Sequence, residues 1–224
     1  MDKLTLVIPA KNEKDTLPEV LKDLKKYNLN IIIVLEKDDI ETISAIEKFN
    51  NKEILIQTGK GYGDALITGI KKVQTEFFCI FNADGSFISD ELLDMYEYIN
   101  KNNDIDFIFA SRYLAGSSSE DDTIVTWMGN KIFSLLGNIF FSLNISDILY
   151  TYVMGNTQKA NSLNLKKKDF SLCVELPIKA KRAGFNLIDI KANERERIAG
   201  KKKVNAFKDG FLILFEMIRL FFNK

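Results

Sequence analysis

The first half of the chain alternates between two hydrophobic periods. Leu4, Thr5, Leu6, Val7 and Ile8 form one nearly continuous apolar run, and Ile31, Ile32, Ile33, Val34 and Leu35 form another. Shorter runs at 53–57, 77–81 and 105–110 read the same way, as buried strands. Between them, apolar residues recur at helical spacing: Leu17, Val20, Leu21 and Leu24 behind Thr16-x-x-Glu19, which has the form of a capping box, then Ile40, Ile43, Ile46 and Phe49. Further helices are predicted over 63–73 and 89–100. Strands apolar on both faces, alternating with amphipathic helices, predict an α/β fold with a mostly parallel sheet covered on both sides. Ligands of such sheets collect beyond the carboxyl ends of the strands, so chemistry is expected just after Ile8, Leu35 and Phe81.

The pattern changes after 115–123 (AGSSSEDDT), which is small, polar and acidic and reads as a mobile surface loop. Residues 124–143 are a long, nearly all-apolar helical stretch. A helix at 175–183, a short strand at 187–190 and a charged linker at 193–203 follow. The last helix, 206–222, sets Phe207, Phe211, Leu214, Phe215, Ile218 and Phe222 at near-helical spacing, interrupted by Lys208, Asp209, Glu216 and Arg219. It is too short and too charged to span a bilayer. With Lys201, Lys202 and Lys203 just before it, the pattern suits an anchor lying on an anionic membrane surface. It suits equally a helix packed on the sheet or against a second copy, and 124–143 carries the same ambiguity. The expected organisation is one domain over 1–205 and an amphipathic helix at 206–224. No signal-peptide pattern opens the sequence.

Composition removes several classes of chemistry. The 224 residues contain 31 Lys and Arg against 31 Asp and Glu, so net charge gives no overall pull toward nucleic acid. There is no histidine. Ser-His-Asp catalysis, a Cys-His dyad, His-ligated zinc and a histidine base are all excluded, and any metal must sit on oxygen ligands, which points to Mg²⁺ or Mn²⁺. Cys79 and Cys173 lie far apart in apolar surroundings and read as reduced residues of a cytosolic protein.

Three segments carry candidate chemistry. Asn82-Ala83-Asp84-Gly85-Ser86 follows a hydrophobic strand and places Asp84 on a tight turn, with the oxygens of Asn82 and Ser86 two residues to either side. Such a group can present oxygens to one hard cation, which would neutralise a leaving diphosphate; it can also be an ordinary Asp-Gly turn before a helix. Pro9-Ala10-Lys11-Asn12-Glu13 lies at another strand end, with Pro9 fixing the turn, Ala10 permitting close approach, and Asn12 and Glu13 able to hydrogen-bond a base or ribose. Gly59-Lys60-Gly61-Tyr62-Gly63 offers backbone and the Lys60 charge to a phosphate, without the spacing of a Walker loop or a dinucleotide fingerprint.

These segments, together with Ala110-Ser111-Arg112-Tyr113, occur in an order and at intervals that resemble family 2 glycosyltransferases of the glycosyltransferase-A fold, in the dolichyl-phosphate-mannose-synthase-like branch. The resemblance covers nearly the whole chain. Gly129-Asn130-Lys131 with Ser146-Asp147 resembles the acceptor-side segment, and 194–203 resembles an R-x-x-G-x-S-K segment. It implies that Pro9, Ala10, Asn12 and Glu13 hold the nucleotide, with Glu36 or Asp38 reading the base. Asn82, Ala83 and Asp84 stand on the D-x-D motif, with Asp84 the main metal ligand. Arg112, Arg197 and Lys203 take positions that contact phosphates, and Asp147 an acidic position beside the acceptor.

Four departures stand out. The first Asp of D-x-D is Asn82; the Asp-Asp-Gly-Ser after the second strand is Glu36-Lys37-Asp38-Asp39; the Ser of R-x-x-G-x-S-K is Lys202; and Thr151-Tyr152-Val153 lacks the basic residue expected after Asp147. The implied reaction is one-step, inverting transfer of a hexose-type sugar from a nucleoside diphosphate. A polyprenyl phosphate acceptor is already anionic and needs only basic residues to place it, with Arg112 and Lys131 the candidates, on a protein working at the inner face of a membrane. A sugar-hydroxyl acceptor would need a carboxylate base, with Asp147 the candidate. A catalytically inactive nucleotide-binding relative is the rival from another class.

Overall fold

The computed structural model describes residues 1–200 and 205–223. Its centre is a seven-stranded sheet of order β3-β2-β1-β4-β6-β5-β7. The strands are β1 (Leu4–Pro9), β2 (Asn30–Leu35), β3 (Glu53–Ile56), β4 (Phe77–Ile80), β5 (Phe107–Ser111), β6 (Val153–Asn156) and β7 (Leu187–Lys191). β1 pairs in parallel with β2 and with β4, and β2 with β3. Every residue of β1, β4 and β5 is buried, as expected for strands covered on both faces.

The helices are α1 (Leu17–Leu24), α2 (Ile40–Ile46), α3 (Tyr62–Lys72), α4 (Glu91–Lys101), α5 (Ile124–Phe141), α6 (Thr157–Ser162), α7 (Leu172–Arg182) and α8 (Ala206–Phe222). Two apolar cores result. Leu6, Ile33, Cys79 and Met154 face the α1, α2 and α4 side; Val7, Val34, Phe78 and Phe107 face the α3, α7 and α8 side.

The structure corrects the sequence reading in several places. β6 has no counterpart in it: this strand runs antiparallel between β4 and β5, and its Val-Met-Gly-Asn sequence has little strand propensity. Gly155 is required there, because a Cβ would lie 2.4 Å from the Phe107 ring. Thr16 forms no capping box; its hydroxyl donates to the Glu13 carboxylate at 2.6 Å. A reciprocal box forms instead on α5, between Thr123 and Thr126. α7 begins at Leu172, three residues earlier than expected, with Pro177 inside it.

The α8 stripe read from the sequence faces outward. Phe207, Phe211 and Phe215 are 76%, 73% and 65% exposed, whereas Ile213, Glu216, Met217 and Leu220 on the other face are buried against α5 and α7. Glu216, which seemed to interrupt the apolar stretch, points inward to Lys167 and Arg219. α5 has the same polarity, with Ile132, Leu135 and Ile139 exposed. Among the described residues no helix is long and apolar enough to cross a membrane. Lys201, Lys202 and Lys203 lie outside the described residues.

Candidate active site

A cleft of about 590 Å³ opens along the carboxyl ends of β1, β2, β3, β4 and β5, a volume suited to a nucleotide-sized ligand. One end is built by the β1–α1 turn, with Pro9, Ala10, Lys11, Asn12 and Glu13 in its wall. This turn is held from α2. The Asn12 amide donates to Asp39 Oδ2 at 2.7 Å, and the Glu13 amide to Thr42 Oγ1 at 2.9 Å. Asn12 reaches this position with φ 51°, in the left-handed region that Asn tolerates. Asp39, given no role in the sequence reading, is thus the buried clamp of the turn. Glu36 enters the cleft at the end of β2, paired with Lys11 at 2.9 Å, while Asp38 is exposed and outside the cleft wall. Between the two candidates for base recognition, Glu36 lines the cleft and Asp38 does not.

Asn82, Ala83, Asp84 and Ser86 line the middle of the cleft, after β4. Gly85 has φ 81°, and a Cβ there would lie 2.4 Å from the Ile198 side chain. The glycine therefore permits both the turn and the close approach of a strap, 194–198, laid across it. The strap is fixed by Arg195 N–H to Ser86 O and Ile198 N–H to Asp84 O, at 3.1 and 3.0 Å. Asp84 Oδ1 accepts both the amide and the hydroxyl of Ser86, at 3.0 and 2.8 Å. Ser86, expected as a metal ligand, is buried and donates to the carboxylate, so it orients Asp84. Asp84 Oδ2 remains toward Arg197, 3.7 Å from Nη2.

A divalent cation fits this centre on a condition. Among the described residues no group of three or more acidic, His or Cys side chains could hold a metal. Asp84 Oδ2 and the Asn82 amide oxygen are hard donors, but they complete a coordination shell only with oxygens brought by a ligand such as a diphosphate.

The acceptor-side residues form a buried network. Arg112 lies against Asp147, Nε to Oδ2 at 2.8 Å and Nη2 to Oδ1 at 3.0 Å; its Nη1 reaches Glu194 at 2.9 Å and Asp122 at 3.5 Å. Burial works against its charge, but Asp147 and Glu194 more than compensate, and its pKa is driven upward. The guanidinium sits 4.4 Å from the Tyr150 ring centroid. Glu194 is raised above the usual carboxylate value by burial, although Arg112 and Ser119 oppose the shift. Asn130 donates to Asp147 as well.

Asp147 is therefore paired beneath Arg112 and absent from the cleft wall, which leaves it poorly placed as a base. Each nitrogen of Arg112 already meets a carboxylate. Lys131 lies over the Tyr113 ring at 4.3 Å and is also outside the wall. Lys203 lies outside the described residues.

The glycine loop packs against the 167–169 backbone and brings Gly61 to the cleft wall. Cβ atoms on Gly61 and Gly63 would meet the carbonyls of Lys168 and Lys167 at 2.3 and 2.2 Å, so these glycines admit the 167–169 backbone. Lys60 is exposed and outside the wall. The loop's neighbour Tyr62 does reach the cleft. Its ring stacks on Phe170 at 4.8 Å, and its hydroxyl lies 2.7 Å from Thr151 Oγ1 and 3.4 Å from Asn82 Oδ1. With Leu149, Cys173 of α7 and Ile213 of α8, this pair makes an apolar end to the cleft. Tyr62 lay inside a segment read for its glycines, and no sequence signal marked Phe170 or Ile213, because each joins the site from a different part of the chain.

Among the described residues of the wall, six carboxylates stand against three cations, Lys11, Arg112 and Arg197. A polyanionic ligand therefore needs cationic help to bind there.

The sequence profile of glycosyl transferase family 2 matches residues 5–163. An uncharacterized glycosyltransferase of Mycobacterium bovis is 24% identical over 213 residues, covering 95% of this chain and 94% of that one. The UDP-N-acetylglucosamine–dolichyl-phosphate N-acetylglucosaminyltransferase of Methanococcus voltae is 25% identical, covering 84% of each chain. The crystal structure of glucosyl-3-phosphoglycerate synthase from Mycobacterium tuberculosis, in complex with Mn²⁺, uridine diphosphate and phosphoglyceric acid, superposes with TM-score 0.71 at 14% identity, over 99% of this chain and 79% of that one. This likeness establishes the glycosyltransferase-A fold.

Proposed function

The chain belongs to glycosyl transferase family 2, and from that premise we propose that it moves a hexose-type sugar from a nucleoside diphosphate to a polyprenyl phosphate at a membrane surface. One observation carries the acceptor class. The apolar end of the cleft is walled by Ile213 of α8, Thr126 and Asn130 of α5 line the same cleft, and these same two helices carry the outward apolar face. A polar donor end and an apolar acceptor end in one cleft fit an activated sugar and a lipid better than two sugars.

The chemistry follows from the residues in place. Pro9, Ala10, Asn12, Glu13 and Glu36 would seat the nucleoside, with Asp39 holding their turn. Asp84 and Asn82 would hold Mg²⁺ or Mn²⁺, which when bound neutralises charge building on the diphosphate. An acceptor phosphate oxygen attacks the anomeric carbon as the bond from that carbon to the diphosphate oxygen breaks, with inversion. No proton leaves the nucleophile, which agrees with the lack of histidine and with the withdrawal of Asp147. Arg197, in the cleft wall, would donate to the departing diphosphate, the preorganised electrostatic stabilisation that usually dominates such reactions.

A second reading is favoured by the engagement of Arg112 and the acidic excess of the wall: transfer to an uncharged sugar hydroxyl. Incubation with labelled nucleotide sugars and either polyprenyl phosphate or oligosaccharides separates the two. Label in an organic-phase glycolipid supports the first reading, label in an extended oligosaccharide supports the second, and no transfer from any donor points to an inactive relative.

A further inference from the structure

Arg197 occupies a position that the proposed chemistry does not explain in the absence of substrate. Its Nη2 lies 3.7 Å from Asp84 Oδ2 and 3.2 Å from Asp121 Oδ2, so the guanidinium bridges the β4 turn and the acidic loop 115–123. The other oxygen of Asp84 is taken by Ser86. The one carboxylate oxygen available to a cation therefore already faces a positive charge. The Arg197 Nε–H is buried with no acceptor. A buried donor without a partner is costly, and here it belongs to a side chain that lines the cleft, where an anionic ligand could satisfy it.

We infer that Arg197 is the resident counter-ion of Asp84, and that the donor diphosphate exchanges it for the divalent cation. The inference rests on the proposed reading of Asp84 as the cation's carboxylate, and adds to it the residue that couples cation to nucleotide. Alone, a cation meets one amide and one carboxylate oxygen, and must displace a guanidinium to use the latter. A cation arriving with a diphosphate brings its own oxygens, and those oxygens also accept from Arg197, including the unpartnered Nε–H. Only the side chain has to swing. The backbone of the strap stays bonded to Asp84 and Ser86, so the exchange needs no loop opening. Coupling of this kind is reciprocal: the cation strengthens nucleotide binding by the factor with which the nucleotide strengthens cation binding.

The test is titration of the full chain with Mn²⁺ alone, reading free Mn²⁺ by electron paramagnetic resonance, and calorimetric titration with UDP as the probe nucleotide, with and without Mn²⁺. Arg197→Gln should raise the affinity for bare Mn²⁺ roughly five- to tenfold, within the usual range of coupling between sites, and shrink the enhancement of UDP binding by Mn²⁺. Arg197→Lys, which keeps the charge, should bind bare Mn²⁺ as the unaltered protein does. Asp84→Asn should abolish Mn²⁺ binding. Loss of Mn²⁺ binding in Asp84→Asn together with unchanged bare-Mn²⁺ affinity in Arg197→Gln overturns this inference alone. Retention of Mn²⁺ binding in Asp84→Asn overturns the cation site on which the proposed function also rests. Circular dichroism checks that each variant is folded, and if Arg197→Gln is not, a gain in bare-Mn²⁺ affinity by Arg197→Lys contradicts the counter-ion role.

Discussion

The guanidinium of Arg112 lies fork to fork on the carboxylate of Asp147, with Nε–Oδ2 2.8 Å and Nη2–Oδ1 3.0 Å, and the Asp147 side chain has no exposure to solvent. Such a pair fixes geometry, and breaking it strands a buried charge. Asp147→Ala is expected to lower stability by about 3–5 kcal/mol, measured by urea denaturation, since Arg112 would keep only Glu194 and Asp122. If Asp147→Asn instead left stability intact and removed turnover, the carboxylate would be acting as a base and not as the seat of Arg112.

Phe170→Ala removes the ring stacked on Tyr62 and opens the apolar end of the cleft. The Km for a polyprenyl phosphate should rise about tenfold, corresponding to ~1.4 kcal/mol, while the donor's dissociation constant is unchanged. Steady-state kinetics with acceptor varied at saturating donor reads this. A donor-binding defect of equal size would place Phe170 on the nucleotide side.

The outward faces of α5 and α8 predict binding to anionic phospholipid vesicles. Phe211 and Phe215 are 73% and 65% exposed, so Phe211→Ser with Phe215→Ser should leave the circular dichroism spectrum unchanged. Burying one such ring is worth about 1.5–3 kcal/mol, so the double change should cut the vesicle partition coefficient by about a hundredfold or more. Absence of vesicle binding, with a dimer that the same change dissociates in sedimentation equilibrium, would assign the face to a second copy of the chain.

Glu216 ties α8 to the body through Lys167, at 2.7 Å, and pairs within the helix with Arg219, at 2.6 Å. Burial alone would raise its pKa, but the hydrogen bonds and charges of Arg219 and Lys167 outweigh that and hold it below its ordinary value of 4.5. The unfolded chain then binds the proton more readily than the folded one. The contribution to stability is complete above pH 4.5 and is lost as pH falls through the lower, folded-state pKa. Glu216→Gln should be less stable at neutral pH and should flatten the dependence below pH 4.5, followed by the urea midpoint across an acid series.

Much of this fold was readable in the order of residues because its strands are apolar on both faces and its first helices are amphipathic. β1 and β2 announce themselves by Leu, Val and Ile runs, and the cleft by Pro9–Glu13 and Asn82–Ser86 at two strand ends. β6 escaped because its placement comes from pairing partners on β4 and β5 rather than from Val153, Met154, Gly155 and Asn156 themselves. The packing role of the glycine loop was hidden for a related reason: Gly61 and Gly63 make room for the Lys167 and Lys168 carbonyls, a close approach that no local pattern reveals. On α8 the periodicity was right and its facing stayed open, because a helix stripe does not say whether protein or something else will cover it. Tyr62 and Ile213 became part of the cleft, and Asp39 the clamp behind it, only through long-range packing.

The central claim is that Asp84 holds a divalent cation that in turn holds a sugar donor's diphosphate. The most direct measurement is anomalous diffraction from crystals grown with Mn²⁺ and a nucleoside diphosphate. The account predicts a manganese peak in contact with Asp84 Oδ2 and bridged to both phosphates, with Arg197 turned onto the diphosphate. A nucleotide bound with no manganese at Asp84, and Asp84 still facing Arg197, would contradict it.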